Sequence, residues 1–507
     1  MPRLSLCMIV KNEESFLPGC LESVKDVVDE IILVDTGSTD KTVEIARSYG
    51  AKVFFLEWKN DFSIARNESI KHATGDWILV LDADERLNPG QKEKIRKYLN
   101  LSFDGLYVRI LNTDKDGKTS IAEYPRLFRK KSGVKFERKI HEQISPSILK
   151  VGGKFAKTDI TITHLGYAQD DETMRKKYER NLQILLEEFQ ENPNDAYTCY
   201  HIGITKILMQ EKEEGIKFLE KAISIPKEIS NLGDSLRAQI YNILGRYEIQ
   251  IGNISQALEY FVKSSKLAPV QVSSYYQAGL VYMRKSNFTL AKNFFEKALK
   301  NLHSVLRGKT LDIAFENLFE PEEINFKLGI CYFKEGNLNK VKEHLLKFIS
   351  SEQLYTEFID FLVEEYKNGN KNAIQLIRYI SGVKPSFYIF KVLSGISQVE
   401  GDLEMAVNNL KLALQFKDDD EIRYNLGVCL AGLSKFNEAI DVLKWFGTRE
   451  DSRFFYDAIK LLALLYLGAG EFQNALSCYE LMLKHNPTDE LIKARINSIA
   501  HKLTIPS

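Results

Sequence analysis

The sequence predicts an α/β domain with a mostly parallel, doubly wound sheet, followed by a long all-α solenoid of helical repeats. Short apolar runs alternate with amphipathic, helix-like stretches up to about residue 110. From about Met174, apolar residues instead recur every three or four positions, and beyond residue 200 small residues recur at fixed intervals. Strand–helix alternation is typical of a parallel sheet that helices cover on both faces. A length of 507 residues also exceeds what one hydrophobic core accommodates, so more than one structural unit is expected.

Five apolar runs are the expected strands of the first domain, which we place at residues 1–168. They are residues 4–10, 30–35, 52–56, 77–82 and 106–110. The runs are nearly continuous in Ile, Leu and Val, as in parallel strands that are buried on both faces. Ligands of such sheets bind at the carboxyl ends of the strands, so polar residues at those ends are the first candidates for a functional site.

Small residues mark the helical repeats. The intervals of 12 and 7 residues occur three times, in Gly203, Gly215 and Ala222, in Gly245, Ala257 and Ser264, and in Gly279, Ala291 and Ala298. Gly245 and Gly279 are 34 residues apart, which is the tetratricopeptide period. Small residues at these positions let paired helices cross closely. We therefore expect a connecting helix in residues 169–195 that docks on the first domain, and repeats over residues 196–505. Residues 350–390 fit no repeat of this pattern.

The balance of charge argues against a protein drawn to nucleic acid or to an anionic membrane, and the cysteine spacing argues against zinc-knuckle and redox motifs. The chain has 69 basic and 69 acidic residues, so no global field would attract nucleic acid or an anionic membrane. The six cysteines lie far apart and are expected to be buried, reduced thiols. The apolar run at residues 4–10 is too short for a signal-peptide core, and no later run approaches the roughly 18 apolar residues of a membrane span. We therefore expect a cytoplasmic protein without a transmembrane segment.

Two carboxylates follow the expected strand at residues 77–82. Side chains two positions apart on a strand share a face, so Asp82 and Asp84 are expected to point together into the pocket at the strand's carboxyl end. A nucleoside diphosphate would be repelled by this pair unless a cation bridged them, and Mg²⁺ or Mn²⁺ prefers carboxylate and phosphate oxygens. A solvated acidic loop is the commoner explanation of an isolated Asp-x-Asp sequence.

Two further polar residues are expected near the same edge of the sheet. Asp35 ends an earlier strand, where its carboxylate can accept hydrogen bonds from a base or a ribose; its alternative role is in a turn or helix cap. Arg66 lies on a helix just ahead of the Asp82 strand, and its guanidinium can hold a phosphate or a base edge through two hydrogen bonds. A surface ion pair is the alternative for a single arginine.

These motifs, in this order, resemble glycosyltransferase family 2 of the GT-A fold over roughly residues 3–168. They are Met-Ile-Val-Lys-Asn-Glu-Glu at residues 8–14, then residues 34–40, 65–67, 73–77 and 82–84. The resemblance implies that Asp35 and Arg66 lie beside the nucleotide, and that Asn12 and Glu13 also belong to the substrate site. It implies that Asp82 lies near the ribose or the metal, that Asp84 is the principal metal ligand, and that the donor is UDP-linked.

Two later motifs are similar to a branch that includes sublancin-type peptide S-glycosyltransferases and lipopolysaccharide-core glucosyltransferases. They are His141-Glu142 and the sequence His-Leu-Gly-Tyr that begins at His164. The resemblance implies inversion at the anomeric carbon, with Glu142 as the candidate general base and His164 as a candidate metal or phosphate ligand. The next candidates for the base are Asp104, Asp114, Asp116 and Glu123.

Three functions remain open from the sequence. The segment between Asp84 and Tyr167, which binds the acceptor in the family, is short, so the repeats are expected to present a peptide or protein acceptor to the site. Stacked helix pairs form concave surfaces that hold polypeptides. The first alternative is a transferase that extends a cell-envelope glycan. The second is a repeat scaffold whose first domain binds a nucleotide without turnover.

Overall fold

A computed structural model describes residues 2–113, 119–165, 171–308 and 313–504. The expected domain end near Tyr167 lies outside these residues. Internal contacts divide the chain into two compact units, Met1–Glu335 and Gly336–Ser507. The first repeats therefore form one unit with the N-terminal sheet.

In its described residues, the first unit contains one sheet, five helices of the α/β region, the connecting helix and seven helices of the repeat region. The strands are β1 (Leu4–Val10), β2 (Glu30–Asp35), β3 (Lys52–Phe55), β4 (Trp77–Val80), β5 (Glu85–Leu87), β6 (Gly105–Thr113), β7 (Thr119–Arg129), β8 (Phe155–His164) and β9 (Phe315–Asn317). The first helices are α1 (Leu17–Val24), α2 (Thr42–Ser48), α3 (Phe62–His72), α4 (Gln91–Leu99) and α5 (Ser145–Lys150). The later helices are α6 (Asp171–Glu191), α7 (Ala196–Leu208), α8 (Lys212–Ser224), α9 (Asp234–Gln250), α10 (Ile254–Leu267), α11 (Ser273–Arg284), α12 (Phe288–Leu306) and α13 (Pro321–Lys334).

The sheet is mixed, with the order β3-β2-β1-β4-β7-β6-β8-β5. Strands β1 to β4 are parallel to one another, as the sequence predicts. Strand β7 then runs antiparallel to both β4 and β6. The run at residues 106–110, expected in the parallel part, lies in this antiparallel half as part of β6. The expected strand at residues 77–82 ends earlier, at Val80, so Asp82 and Asp84 lie in the turn between β4 and β5.

Burial on both faces of the parallel strands follows from their continuous apolar sequences. On β1, Leu6 packs into one cluster, with Leu79 of β4 and helix α1. Its neighbour Cys7 packs into the opposite cluster, with Ile78 of β4. This alternation, with a period of two residues, fixes the register of β1 against β4, in which Cys7 lies opposite Val80.

The repeats are joined to the sheet by a short strand that the sequence analysis did not predict. Strand β9, between α12 and α13, pairs antiparallel with β7. The buried carboxylate of Glu316 on β9 accepts hydrogen bonds from the backbone N–H groups of Val272, at 2.6 Å, and Ser273, at 3.2 Å, next to the start of α11. Arg109 of β6 donates to the carbonyl oxygen of Val305 at the end of α12, at 3.2 Å. The sheet and the repeats therefore share hydrogen bonds at several points.

Two predictions about the helices are confirmed. Small residues let paired helices cross closely, and the connecting helix docks on the first domain. A Cβ atom on Gly215 would lie 2.7 Å from the carbonyl oxygen of Gly203, a distance that only glycine permits. In the connecting helix α6, Ile184 and Leu185 pack in one cluster with Ile140 of the α/β region and Ile202 of α7. Helix α6 therefore docks on the first domain as expected.

The second unit is helical throughout its described residues. Its helices are α14 (Leu338–Phe348), α15 (Glu352–Lys367), α16 (Lys371–Val383), α17 (Phe387–Val399), α18 (Leu403–Phe416), α19 (Asp420–Gly432), α20 (Phe436–Leu443), α21 (Phe455–Gly468), α22 (Phe472–His485) and α23 (Glu490–Thr504). Residues 350–390, which fit no repeat by sequence, contain α15 and α16. Large side chains, including those of Tyr355 and Phe358, are buried in this segment, which lacks the small-residue spacing of the other repeats.

Two expectations from composition concern the whole chain. All six cysteines are free and buried, as predicted. Among the described residues, no helix has both the length and the apolar content needed to cross a membrane.

Candidate active site

Asp35 lies at the carboxyl end of β2, opposite Val10 of β1. Its side chain is buried, and its Oδ1 atom accepts hydrogen bonds from the backbone N–H groups of Gly37 and Ser38, each at 3.0 Å. The Oδ2 atom is also buried but has no hydrogen-bond partner among the described residues. Leaving a buried carboxylate oxygen unpaired is costly, so this atom is suited to accept a hydrogen bond from a ligand.

Asn12 holds the loop beside Asp35. Its backbone has a positive φ of 56°, and its N–H donates to Ser38 Oγ at 2.9 Å. Its Oδ1 atom accepts from the backbone N–H of Thr39 at 2.8 Å. The sequence placed Asn12 among the substrate-binding residues; the structure shows its side-chain oxygen bound to the loop that follows β2.

Arg66 connects two carboxylates that are distant in sequence. Helix α3, which is capped by Asp61, places Arg66 in the interior, with 6% of its side chain exposed. Its Nη2 atom donates to Asp82 Oδ1 at 2.6 Å, and its Nε atom donates to Glu142 Oε1 at 2.8 Å. Its Nη1 atom is buried without a hydrogen-bond partner among the described residues. Arg66 is thus a buried arginine that pairs with two carboxylates, and the alternative prediction of a surface ion pair is wrong.

A second arginine, which the sequence analysis did not single out, completes this network. Arg126 of β7 donates from Nη2 to Asp82 Oδ2 at 3.2 Å and to Glu85 Oε1 at 2.6 Å. Burial raises the pKa of Asp82, but the guanidinium groups of Arg66 and Arg126 outweigh it and bring the pKa well below its usual range. Asp82 is therefore an ionised carboxylate with an arginine on each oxygen.

Asp84 and His164 meet because β5 pairs with β8, with Glu85 opposite His164. The distance from His164 Nε2 to Asp84 Oδ2 is 3.3 Å, and the other ring nitrogen of His164 lies 2.9 Å from Asn112 Oδ1. Burial lowers the pKa of His164, whereas its hydrogen bond to Asp84 raises it, and the net shift is upward. The structure thus brings together two of the three residues, Asp84 and His164, that the resemblance proposed as metal ligands.

Negative charge is concentrated around Asp84. Burial and, after it, the negative charge of Asp84 together raise the pKa of Glu13 to about 7. The structure therefore places Glu13 within electrostatic reach of Asp84. Such a concentration of carboxylates favours binding of a cation.

The residues present fit a divalent cation held mainly by Asp84. Among the described ranges, no group of three or more His, Cys, Asp or Glu side chains is arranged as a metal site. Mg²⁺ does not need such a group, because it keeps several waters and is commonly bound by one or two carboxylates together with substrate phosphates. Asp82 fits this role less well than predicted, since both of its oxygens already bind guanidinium groups.

Glu142 is brought to the site by the segment between β7 and α5. Its side chain is 14% exposed and pairs with Arg66. The preceding residue, His141, has a positive φ of 50°, and its ring stacks on His201 of α7 at a centroid distance of 3.7 Å. Helix α7 of the repeats therefore helps to position the backbone that carries Glu142.

The other candidates for the base differ in position. Glu123 of β7 lines the same cavity as Glu142 and pairs with Lys157 at 3.0 Å. Asp104 pairs with Lys131 and does not line that cavity. Asp114 and Asp116 lie outside the described residues.

A single cavity of about 1920 Å³ contains the candidate catalytic residues and reaches the repeats. Arg66, Asp82, Asp84, Glu142 and His164 line it from the α/β region. Residues of helices α6, α7 and α9 also line it. Cavities that hold one small ligand are usually about 300–1,000 Å³, so this one has room for more than a donor.

Among the aromatic residues of the repeats, Tyr200 of α7 lines this cavity. Other aromatic residues of the repeats pack between helices. Tyr276 is buried and contacts the rings of Phe295 and Phe319, and Phe326 is also buried.

The carboxylates at the edge of a mixed sheet, and the cavity that they share with helical repeats, define an α/β domain joined to a repeat region. Residues 5–149 match the family Glycosyl transferase family 2. Residues 196–228, 238–271 and 272–301 match the tetratricopeptide repeat. The chain therefore contains a glycosyltransferase family 2 domain followed by tetratricopeptide repeats.

Three relatives are similar to parts of the chain. A TPR repeat-containing protein of Synechococcus elongatus is 40% identical over 217 residues, which are 42% of this chain and 53% of that protein. The chain thus spans about half the length of that relative. The SPbeta prophage-derived glycosyltransferase SunS of Bacillus subtilis is 27% identical over 377 residues, which are 69% of this chain and 87% of SunS. An uncharacterized glycosyltransferase of Rickettsia typhi is 38% identical over 95 residues, which are 19% of this chain and 32% of that protein.

Proposed function

We propose that this protein is an inverting glycosyltransferase that moves a sugar from a UDP-linked donor to a polypeptide acceptor held by the repeats. The observation that carries the proposal is the shared cavity, which the carboxylates of the glycosyltransferase domain and the helices α7 and α9 line together. The similarity to SunS over both regions supports it, because the alignment covers more than the family 2 domain alone.

The donor would bind at the edge of the sheet where β2 ends. The unpaired Oδ2 atom of Asp35 is an acceptor for an N–H of the base or a ribose hydroxyl. The unpaired Nη1 atom of Arg66 is a donor for a phosphate or base oxygen. Asp84, with His164 beside it, would hold a Mg²⁺ or Mn²⁺ ion, whose charge offsets that of the leaving diphosphate when the ion is bound.

The transfer step needs a base on the acceptor side. The acceptor's oxygen, nitrogen or sulfur atom forms a bond to the anomeric carbon as the bond to the diphosphate oxygen breaks, and the bonding electrons leave with the diphosphate. We assign the acceptor's proton to Glu142, which lines the cavity and has its carboxylate oriented by Arg66. A thiol acceptor needs this help least, because thiolate is accessible near neutral pH.

Release of nucleoside diphosphate from a panel of UDP-, GDP- and dTDP-sugars tests the proposal directly. We expect release with a UDP-sugar in the presence of Mn²⁺ or Mg²⁺, and faster release when a polypeptide acceptor is added. Binding of the nucleotide without any release would instead favour the non-catalytic scaffold. Acceleration by a lipid-linked glycan but not by any polypeptide would favour the cell-envelope alternative.

Asp35→Ala is expected to weaken binding of UDP, because it removes the buried acceptor at the end of β2. Hydrogen bonds to charged groups contribute about 1.5–3 kcal/mol, which corresponds to a dissociation constant about 10- to 150-fold higher. Calorimetric titration with UDP measures this change. Asp40→Ala is the matched control, since Asp40 caps the same loop through Thr42. An unchanged dissociation constant in Asp35→Ala would remove Asp35 from the site.

Glu142→Gln is expected to keep UDP binding but to slow transfer to a hydroxyl acceptor by about 10²–10⁴-fold, because an amide cannot take the proton. Single-turnover transfer and calorimetry separate the two effects. Glu123→Gln, which changes another carboxylate of the same cavity, is the control and should transfer at nearly the parental rate. If the two variants exchange these results, Glu123 is the base.

A further inference from the structure

Helix α9 presents a regular face to the cavity. Leu236, Gln239, Ile243, Arg246 and Gln250 line the cavity at spacings of three and four residues, as expected for one side of an α-helix. Helix α9 belongs to the repeats, whereas Asp35 and Asp84 belong to the α/β region. This wall, which we call the α9 wall, has no role in donor binding or in the transfer step described above.

Arg246 on the α9 wall carries a charge that no contact neutralises. Its guanidinium has no hydrogen bond and no ion pair with any residue in the described ranges. Burial lowers the pKa of Arg246, and the negative charge of Glu316 partly offsets that lowering. Both oxygens of Glu316 are already used as acceptors for groups at the start of α11. A partly desolvated arginine without a paired anion is costly, and a ligand that brings an anion would remove the cost.

A second, independent observation points to the same wall. The Oε1 atom of Gln239 is buried and has no hydrogen-bond partner in the part of the chain that the structure describes, and only 9% of the residue is exposed. The Nε2 atom of His201, on the neighbouring helix α7, is likewise buried and unpaired. Both residues line the cavity. Buried polar groups are almost always satisfied, so unsatisfied groups that line one cavity indicate a polar ligand.

The spacing of these groups suits an extended polypeptide. Gln239 and Arg246 are seven residues apart on α9, which is about 10.5 Å along the helix axis. An extended chain covers about 3.3–3.4 Å per residue, so the same distance corresponds to about three residues of a bound peptide. A peptide backbone supplies N–H donors for Gln239, and an acidic side chain supplies the carboxylate that a guanidinium binds through two parallel hydrogen bonds.

We propose that the α9 wall selects acidic acceptors: Arg246 binds an Asp or Glu side chain of the acceptor polypeptide while Gln239 accepts a backbone N–H about three residues away. This inference rests on the proposed function and narrows its substrate class. It makes Arg246 a specificity-determining residue that lies outside the glycosyltransferase domain. The anion comes from the acceptor, because the donor's diphosphate is assigned to the sheet edge.

The test is a binding measurement with the full-length protein and two peptide pools. Both pools contain labelled 12-residue peptides that are randomised over neutral residues and include Ser, Thr and Cys. Every member of one pool carries a single Glu at the centre, and the other pool has Gln there. Fluorescence anisotropy with saturating UDP measures binding of each pool. We expect the parental protein to bind the Glu pool about 10-fold or more tightly than the Gln pool, with the preference weakening as salt is added.

Three variants identify the residue responsible. Arg246→Gln should abolish the preference for Glu, and Arg246→Lys should keep part of it, because lysine retains the charge but not the paired hydrogen bonds. Arg284→Gln is the matched control; this arginine is exposed at the end of α11 and should leave the preference unchanged. Circular dichroism and UDP binding confirm that each variant is folded. Partial retention in Arg246→Lys is a result that a purely structural role would not give.

The outcomes separate this inference from the proposed function. Equal binding of both pools, no binding of the Glu pool, or an unchanged preference in Arg246→Gln would each overturn the inference. Loss of Glu-pool binding on addition of UDP would also overturn it, since Arg246 would then serve the donor. Transfer of sugar to both pools without preference leaves the proposed function standing and removes the inference. Arg246-dependent binding of the Glu pool without transfer to any peptide supports the inference about binding and contradicts a polypeptide as the glycosyl acceptor.

Discussion

Asp84→Asn is expected to lower nucleotide-sugar turnover by about 10²–10³-fold, the cost of removing one preorganised electrostatic group from a transition state. The substitution keeps the size of the side chain and an oxygen that can accept from His164, so the turn between β4 and β5 should keep its shape. It removes the negative charge that a divalent cation requires. The effect should therefore appear in turnover and in the metal dependence of UDP binding, and not in folding.

Turnover of a UDP-sugar and calorimetric titration of UDP, each with Mn²⁺ and with a chelator, measure these effects. We expect Mn²⁺ to strengthen UDP binding to the parental protein and to have little effect on Asp84→Asn. Asp26→Asn, which changes an exposed aspartate between α1 and β2, is the control for loss of one negative charge. Parental activity of Asp84→Asn in the presence of chelator would contradict the role of Asp84 as a metal ligand.

The parallel half of the sheet could be predicted from sequence because its signals are local. Strands β1 and β2 have the predicted bounds, since each is a continuous apolar run that ends abruptly in polar residues. The antiparallel half carries weaker local signals. Strand β7 contains Pro125 and mixes apolar and polar residues without a regular period, and its partners β4, β6 and β9 are fixed only by contacts between distant segments.

Asp82 and Asp84 do line the cavity, but the geometry from which the sequence analysis predicted this was wrong. Asp82 and Asp84 were expected to share one face of a strand, but β4 ends at Val80. The two carboxylates instead lie in a turn, where Asp82 pairs with two arginines and Asp84 lies beside His164. Both still line the cavity, because the turn is at the edge of the sheet where ligands bind.

The parts of the site that sequence reasoning missed depend on contacts over long sequence separations. Arg126 meets Asp82 across 44 positions, and the α9 wall reaches the cavity only because the repeats fold back onto the sheet. No spacing rule connects such residues. A usable signal was present for Arg126 alone, since the sequence Pro-Arg-Leu-Phe-Arg places this arginine directly beside an apolar pair of the strand.

Arg66→Met is expected to destabilise the α/β region by about 3–5 kcal/mol, which is the usual cost of removing one partner from a buried ion pair. Methionine can fill the space of the arginine stem on α3. It leaves the Glu142 carboxylate, which is 14% exposed, without its guanidinium, and leaves Asp82 with only Arg126. Stability should therefore fall because buried negative charge is no longer neutralised, and not because of a cavity.

Hydrogen exchange in increasing urea, followed by mass spectrometry on peptides from α3 and β4, measures this local stability. Lys71→Met is the matched control on the same helix. Lys71 forms an exposed pair with Glu68, and such pairs contribute at most about 1 kcal/mol. Adding Glu142→Gln to Arg66→Met should restore part of the lost stability, because it removes the carboxylate charge that Arg66→Met leaves without its guanidinium. Equal effects of Arg66→Met and Lys71→Met would contradict the buried network, and a double variant less stable than Arg66→Met would show that charge is not the cause.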